Sequence, residues 1–186
     1  MNLDVTTNSY RGSALLLDGR KVRDVFSEKM KDALSRSGAE LTLAIIQVGS
    51  LEESSAYIKQ KKNFADKIGT VVAHKQFPDS VSEAELISVI ENLNQDEAIS
   101  GIIVQLPIPE RLNKQKIIDA IKVVKDVDGL TSENRKRFES GDSRAVIPAT
   151  ARGVLSLLKA YQVEVKGKKA TVIGRSALVG APIAVL

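Results

Sequence analysis

Residues 41–48, LTLAIIQV, form an almost unbroken aliphatic run. A run without polar alternation reads as a strand covered on both faces, the mark of a parallel sheet. Two further strands are predicted at 71–77 (VVAHKQF) and 101–106 (GIIVQL). Helical spacing takes over between them, for example at Leu86, Ile87, Ile90 and Leu93. Parallel strands require long crossovers, so the pattern predicts an α/β layer fold wound right-handedly.

The remaining segments fit that frame. Residues 1–11 are polar and expected to fray, and 14–17 are short and apolar. Val22, Val25, Phe26, Met30, Ala33 and Leu34 predict a helix ending at Ser37-Gly38. A second helix is predicted over 54–67, stopping at Gly69. Ser82 and Glu85 form a capping-box pattern opening a helix that runs to about Leu93. Pro107 and Pro109 force the third strand to end by Leu106. Residues 113–124 read as a helix, 125–129 as a charged loop and 130–147 as irregular. The sequence then predicts a helix at 150–160, a strand at 169–173, a glycine-bounded turn at 174–180 and a helix start at 182–186. A domain boundary is expected between residues 141 and 148. Residues 173–186 read as the opening of a nucleotide-binding unit, which needs roughly 30 or more residues. The chain is therefore expected to be a fragment or a shortened product.

Composition narrows the function. A chain of 186 residues, 43% hydrophobic and 27% charged, fits a soluble globular protein of one or two domains. The net charge of +4 is scattered, which suits anionic ligands and lacks the clustering of a nucleic-acid surface. There is no Cys, so disulfides and thiolate metal sites are excluded. His74 is the only histidine, which argues against a His zinc site or a Ser-His-Asp triad. The run Leu15-Leu16-Leu17 is too short for a signal peptide or membrane span, so the cytoplasm is the expected location.

Three strand ends carry polar groups, and ligands in open α/β sheets sit beyond the carboxyl ends of strands. After the first strand, Ser54, Tyr57 and Lys61 share one helix face at i, i+3 and i+7. A phenol and an amine one turn apart could form an acid/base pair. Lys59, Lys61 and Lys62 fit a solvated face as well, and spacing alone favours that reading. Gln105 puts an amide in an apolar run, where it needs partners from backbone or ligand. Asp128 precedes Gly129 in KDVDG, which by itself reads as a turn. The segment from Gly174 to Gly180, GRSALVG, lets backbone approach a phosphate at a helix start, with Arg175 available to a further phosphate.

The segments VGSLEESSAYIKQKKNFADKIG, GIIVQLPIP, KDVDGL and GKKATVIGRSALVGAPIAVL occur in this order and at these distances. Together they resemble the bifunctional methylenetetrahydrofolate dehydrogenase/methenyltetrahydrofolate cyclohydrolase family, from about Leu15 onward. The resemblance implies a parallel-sheet, folate-binding catalytic domain at 1–147 and the start of a Rossmann-like NAD(P)-binding domain at 148–186. It implies NADP-dependent oxidation of 5,10-methylenetetrahydrofolate, then hydrolysis to 10-formyltetrahydrofolate, within one-carbon metabolism and purine biosynthesis. It places the catalytic role on Lys61 with Tyr57 beside it, and gives Gln105 the task of positioning the lysine and the folate. Asp128 is assigned to the pterin ring, Ser54 to the folate site, and Gly174, Arg175 and Ser176 to NADP. No metal is required, and the full-length form is expected to be a homodimer with no nucleic-acid or membrane partner.

The sequence departs from the family pattern in two places. Pro148-Ala149-Thr150-Ala151-Arg152-Gly153 stands where the family has P-C-T-P-x-G, which puts the cleft between the domains in doubt. Thr131-Ser132 stands where a His-Pro pair is common. The rival from another class is an inactive or folate-binding fragment without a complete cofactor domain. A dehydrogenase of the shikimate type is disfavoured, because VQLP and KDVDG do not belong to it. The chain as given is expected to bind folate poorly and to transfer hydride hardly at all, with any residual activity in the hydrolytic step.

Overall fold

The computed structural model describes residues 9–11 and 14–186. The elements, in order, are β1 (Ser9–Arg11), β2 (Ala14–Leu16), α1 (Gly19–Ser37), β3 (Thr42–Val48), α2 (Glu52–Ile68), β4 (Val71–Phe77), α3 (Glu83–Gln95) and β5 (Gly101–Val104). They continue with α4 (Lys114–Asp119), a 3-10 turn (Val123–Lys125), α5 (Ser132–Glu139), α6 (Ala149–Ala160) and α7 (Gly180–Val185). Internal packing divides the chain into two units. One is Ala33–Val146; the other combines the described residues up to Asp32 with Ile147–Leu186.

In the unit Ala33–Val146, β4, β3 and β5 form a parallel sheet in that order. Successive strand residues point to opposite faces. Ala44, Ile46 and Val48 therefore join Ile102 and Val104 on one face, packed against Leu86, Ile90 and Leu93 of α3 and Ile117 of α4. On the other face, Ile45 and Ile103 pack against Ile58 of α2. Both faces are covered, so β3 has no polar alternation. Each fully buried isoleucine contributes about 1.5–3 kcal/mol of transfer free energy, and Ile45, Ile46, Ile58, Ile90, Ile102 and Ile117 are all in that state. The capping box at α3 forms: the Ser82 hydroxyl accepts from the Glu85 N–H at 3.1 Å.

Gln47 is the polar exception in β3, 1% exposed on the face that α2 covers. Its amide nitrogen donates to the Ser55 hydroxyl at 3.2 Å, and its oxygen lies 3.0 Å from His74 Nε2. His74 Nδ1 lies 3.2 Å from Lys62 Nζ. An ammonium can only donate, so Nδ1 accepts and Nε2 carries the proton; these partners imply a neutral ring. The chain Ser55–Gln47–His74–Lys62 joins α2 to β3 and β4 through groups far apart in sequence.

Four segments differ from the sequence-based expectation. Residues 1–8 lie outside the described residues, but Ser9–Arg11 is not frayed: it pairs antiparallel with Ala14–Leu16. The helix predicted over 113–124 stops at Asp119 because the Asn94 amide enters its path. That amide donates to Ala120 O at 2.7 Å, and its oxygen accepts from Lys122 N at 2.9 Å. The region read as irregular contains α5, capped by the Thr131 hydroxyl accepting from Asn134 N at 3.2 Å. The predicted strand at 169–173 is absent. A strand exists only with a hydrogen-bonded neighbour, and no described segment pairs with it.

In the second unit, Val22 and Phe26 of α1 pack against Leu157 and Ala160 of α6 and against Tyr161. The Tyr161 hydroxyl accepts from Asp18 N at 2.9 Å. Gly180 opens α7 where a Cβ would collide with the carbonyl of Gly174, so only glycine fits this turn.

Burial, then the Lys62 ammonium, holds the His74 pKa below its ordinary 6.5. The unfolded chain therefore binds the proton more readily, and this contribution to stability is lost as pH falls below 6.5. Urea midpoints at about pH 7.5 and pH 5.5 should fall more steeply with acid for the parent than for His74→Gln. Equal slopes for the two proteins would contradict the partly buried neutral ring.

Candidate active site

The carboxyl end of β3 leads through Gly49 into α2, and α2 carries Ser54, Tyr57 and Lys61 toward one side. The end of β5 carries Gln105, whose backbone N–H donates to Ile46 O at 2.8 Å and so stays registered with β3. Lys61 Nζ donates to Gln105 Oε1 at 2.9 Å, and the Gln105 amide nitrogen donates to Leu106 O at 2.9 Å. The amide therefore has one fixed orientation, with its oxygen toward the amine. The Leu106–Pro107 peptide that follows is cis.

Asp128 completes the group from the loop after the 3-10 turn. Burial, chiefly, raises its pKa; the Lys61 charge opposes this and Asp126 adds to it. Lys61 shifts the other way. Desolvation lowers its pKa from 10.5, partly offset by the Asp128 charge. Lys61, Gln105 and Asp128 thus form one partly desolvated cluster, in which the amine gives up its proton more readily than a surface lysine does.

Two expected site residues lie on that side of α2 without joining the Lys61–Gln105 bond. Tyr57 is 60% exposed, and the partner of the Lys61 amine is Gln105 rather than the Tyr57 phenol, so an acid/base pair between neighbours on α2 does not form here. Ser54 is 3% exposed and its hydroxyl has no hydrogen-bond partner. A buried hydroxyl without a partner costs about 1–3 kcal/mol unless something else supplies the bond. That is an open donor on the helix face that bears Lys61. Gly174, Arg175 and Ser176 belong to the other unit; there the Ser176 hydroxyl accepts from Val179 N at 3.2 Å within the turn.

The sequence reading missed Asp126, which is 2% exposed. Its carboxylate accepts from Gly129 N at 2.8 Å, Leu130 N at 3.2 Å and Thr131 N at 2.8 Å. The signal was the first carboxylate of KDVDG, two residues before the one that drew attention. This loop also rests on β5: Asp126 bridges to Ile102, and Val127 covers Gly101. A groove of about 560 Å³ adjoins the site, with Leu51, Glu52, Pro107 and Ile108 among its walls; Lys61, Gln105 and Asp128 do not line it.

A lysine held by a strand-end amide and faced by a partly buried carboxylate, at the carboxyl ends of a parallel sheet, is an arrangement able to pass a proton to and from a bound organic ligand. Residues 17–128 match the family described as tetrahydrofolate dehydrogenase/cyclohydrolase, catalytic domain, and residues 148–186 match the NAD(P)-binding domain of the same family. The chain belongs to this tetrahydrofolate dehydrogenase/cyclohydrolase family. It is 40% identical over 169 residues to the bifunctional protein FolD of Mycoplasma mobile, covering 91% of this chain and 59% of that protein. With the FolD of Staphylococcus saprophyticus the identity is 36% over 176 residues, covering 93% and 61%. The crystal structure of the bifunctional enzyme FolD-methylenetetrahydrofolate dehydrogenase/cyclohydrolase from Campylobacter jejuni superposes with a TM-score of 0.88 at 35% identity, covering 91% of this chain and 61% of that one. The Trypanosoma brucei enzyme, solved with NADP cofactor and inhibitor, gives 0.88 at 29%, covering 92% and 60%. The chain therefore spans about three fifths of the length of these relatives.

A Cβ built on Gly101 would lie 2.5 Å from Val127 Cγ1. Valine has few rotamers with which to retreat, so Gly101→Ala should push the 126–131 loop off β5. The expected loss is about 1–3 kcal/mol, as for other overpacked sites, read as a lower urea midpoint. An unchanged midpoint would mean that the loop is not seated on the strand.

Proposed function

We propose that this chain carries the folate site of a methylenetetrahydrofolate dehydrogenase/methenyltetrahydrofolate cyclohydrolase, with Lys61 as the proton-transfer group. The observation that carries the reading is the Lys61–Gln105 hydrogen bond beside Asp128, which gives a desolvated amine of lowered pKa. In the hydrolytic step, water adds to the methenyl carbon and passes one proton to Lys61 Nζ. The carbinol then opens: its hydroxyl becomes the formyl carbonyl and loses its proton to solvent. The ring nitrogen leaves with the C–N electron pair and takes the proton back from Nζ. Gln105 keeps the amine aimed during both transfers, because its own amide nitrogen is tied to Leu106 O.

Asp128 is the group we assign to the amino-pyrimidine edge of the pterin, where a carboxylate accepts two donors side by side. The open Ser54 hydroxyl and the exposed Tyr57 ring, one turn of α2 apart, are assigned to the rest of the folate. NADP fits the second unit through the glycine-bounded turn: Gly174, Arg175 and Ser176 would hold its phosphate-bearing end, where Gly180 permits the tight turn. When bound, the dinucleotide supplies the oxidant for the methylene bridge. The folate domain is read as 1–147 and the dinucleotide domain as 148–186, with the cytoplasm as the location and a homodimer as the full-length form. Among the described residues no helix is long and apolar enough to cross a membrane.

Lys61→Met should remove methenyltetrahydrofolate hydrolysis above the buffer rate, while a folate analogue still binds. Hydrolysis at near the parental rate would overturn the assignment. Asp128→Ala should weaken binding of 5-formyltetrahydrofolate by about 2 kcal/mol, the range for a bond to a charged group. Calorimetry showing an unchanged dissociation constant would move the pocket elsewhere.

A further inference from the structure

We propose that Asp126 is the positioning residue that fixes Asp128 opposite Lys61, acting through the backbone of the loop and touching no ligand itself. The inference rests on the function proposed above for Asp128.

Asp126 is 2% exposed, more deeply buried than the partly buried Asp128 two residues later. Its two oxygens accept three consecutive backbone N–H groups, those of Gly129, Leu130 and Thr131. The carboxylate therefore folds the chain back around itself and holds residues 126–131 as one closed turn. Asp128 lies inside that turn, where its backbone has little freedom. The turn is anchored at both ends. On the strand side, Asp126 bridges to Ile102 and Val127 caps Gly101. On the helix side, Thr131 caps α5 by accepting from Asn134 N. The Asn134 amide in turn donates to Val146 O at 2.7 Å and accepts from Val146 N at 2.8 Å. A rigid seat of this kind is what a carboxylate needs if it is to meet a planar two-donor edge at fixed angles.

Asp126 also has an electrostatic part. Lys61 from α2 and Asp126 from the loop itself are the charged groups that act on Asp128, and they oppose each other. Removing the Asp126 charge lowers the pH at which Asp128 ionises. A merely structural role for Asp126 would not move that titration in a defined direction.

The test compares Asp126→Asn, Asp126→Ala and Asp128→Ala with the parent 186-residue chain, using calorimetric binding of 5-formyltetrahydrofolate across pH. Asn at 126 can keep the bonds from Gly129 and Leu130, but its amide faces the Thr131 N–H donor to donor. We expect Asp126→Asn to weaken binding about tenfold and to shift the acid limb of the binding profile to lower pH. Asp126→Ala should weaken binding further, with faster amide exchange at residues 129–131 in the free protein. If Asp126→Ala does not fold, Asp126→Asn carries the test alone. Parental affinity and an unmoved acid limb in a folded Asp126→Asn would overturn the inference. If Asp128→Ala itself binds as well as the parent, the failure belongs to the functional reading and not to Asp126.

Discussion

The bond from Lys61 Nζ to Gln105 Oε1 depends on most of the fold around it. An amine on the end of four methylenes has no preferred direction unless something grips it, and a gripping amide must itself be oriented. Gln105 meets that need because its backbone continues the β5 register against β3 and its amide nitrogen is tied to the next carbonyl. The same strand end is dry enough to lower the Lys61 pKa. Desolvation and orientation thus arise from one packing arrangement, as proton transfer requires.

The two sides of α2 divide the work. One side bears Ser54 and Lys61 and faces the proposed folate site. Ser55 and Lys62, each one residue later, face Gln47 and His74 and lock the helix to the sheet. The helix cannot turn about its axis without breaking that hydrogen-bonded chain, because the partners of Gln47 and His74 are satisfied only in this rotation. The Asp128 loop is seated by a different device, a carboxylate closing on three N–H groups beside a glycine that lets the loop touch the strand. Lys61 and Asp128 therefore both stand on backbone that is held by polar bonds at least partly shielded from water, and not by apolar packing alone.

Much of this was legible from residues. The aliphatic run of β3, the capping box of α3 and the prolines after β5 are local signals, and each structural element appears where they place it. The spacing of Ser54 and Lys61 also put both on one helix face, although it could not distinguish a solvated face from a site. The family words favour a site. What stayed illegible depends on distant partners. Gln47 looked like one more residue in an apolar run, since its bond to His74 spans 27 positions. The short helix α5, SENRKRFE, carries almost no apolar stripe and is fixed instead by Thr131 and Asn134. The segment at 169–173 has strand composition but no neighbour, and composition alone does not make a strand. Tyr57 and Lys61 share a face, but only coordinates show that the amine turns to Gln105.

The most direct test of the central claim is the titration of Lys61 in the folded chain. Heteronuclear NMR of ε-carbon-labelled lysines, with Lys61 assigned by its loss in Lys61→Arg, would report the ionisation of that amine separately from the others. The account predicts a midpoint below the ordinary 10.5, moving lower still in Asp128→Asn, because the Asp128 charge is what partly restores it. A Lys61 midpoint at or above that of the exposed lysines would contradict a desolvated amine poised for proton transfer.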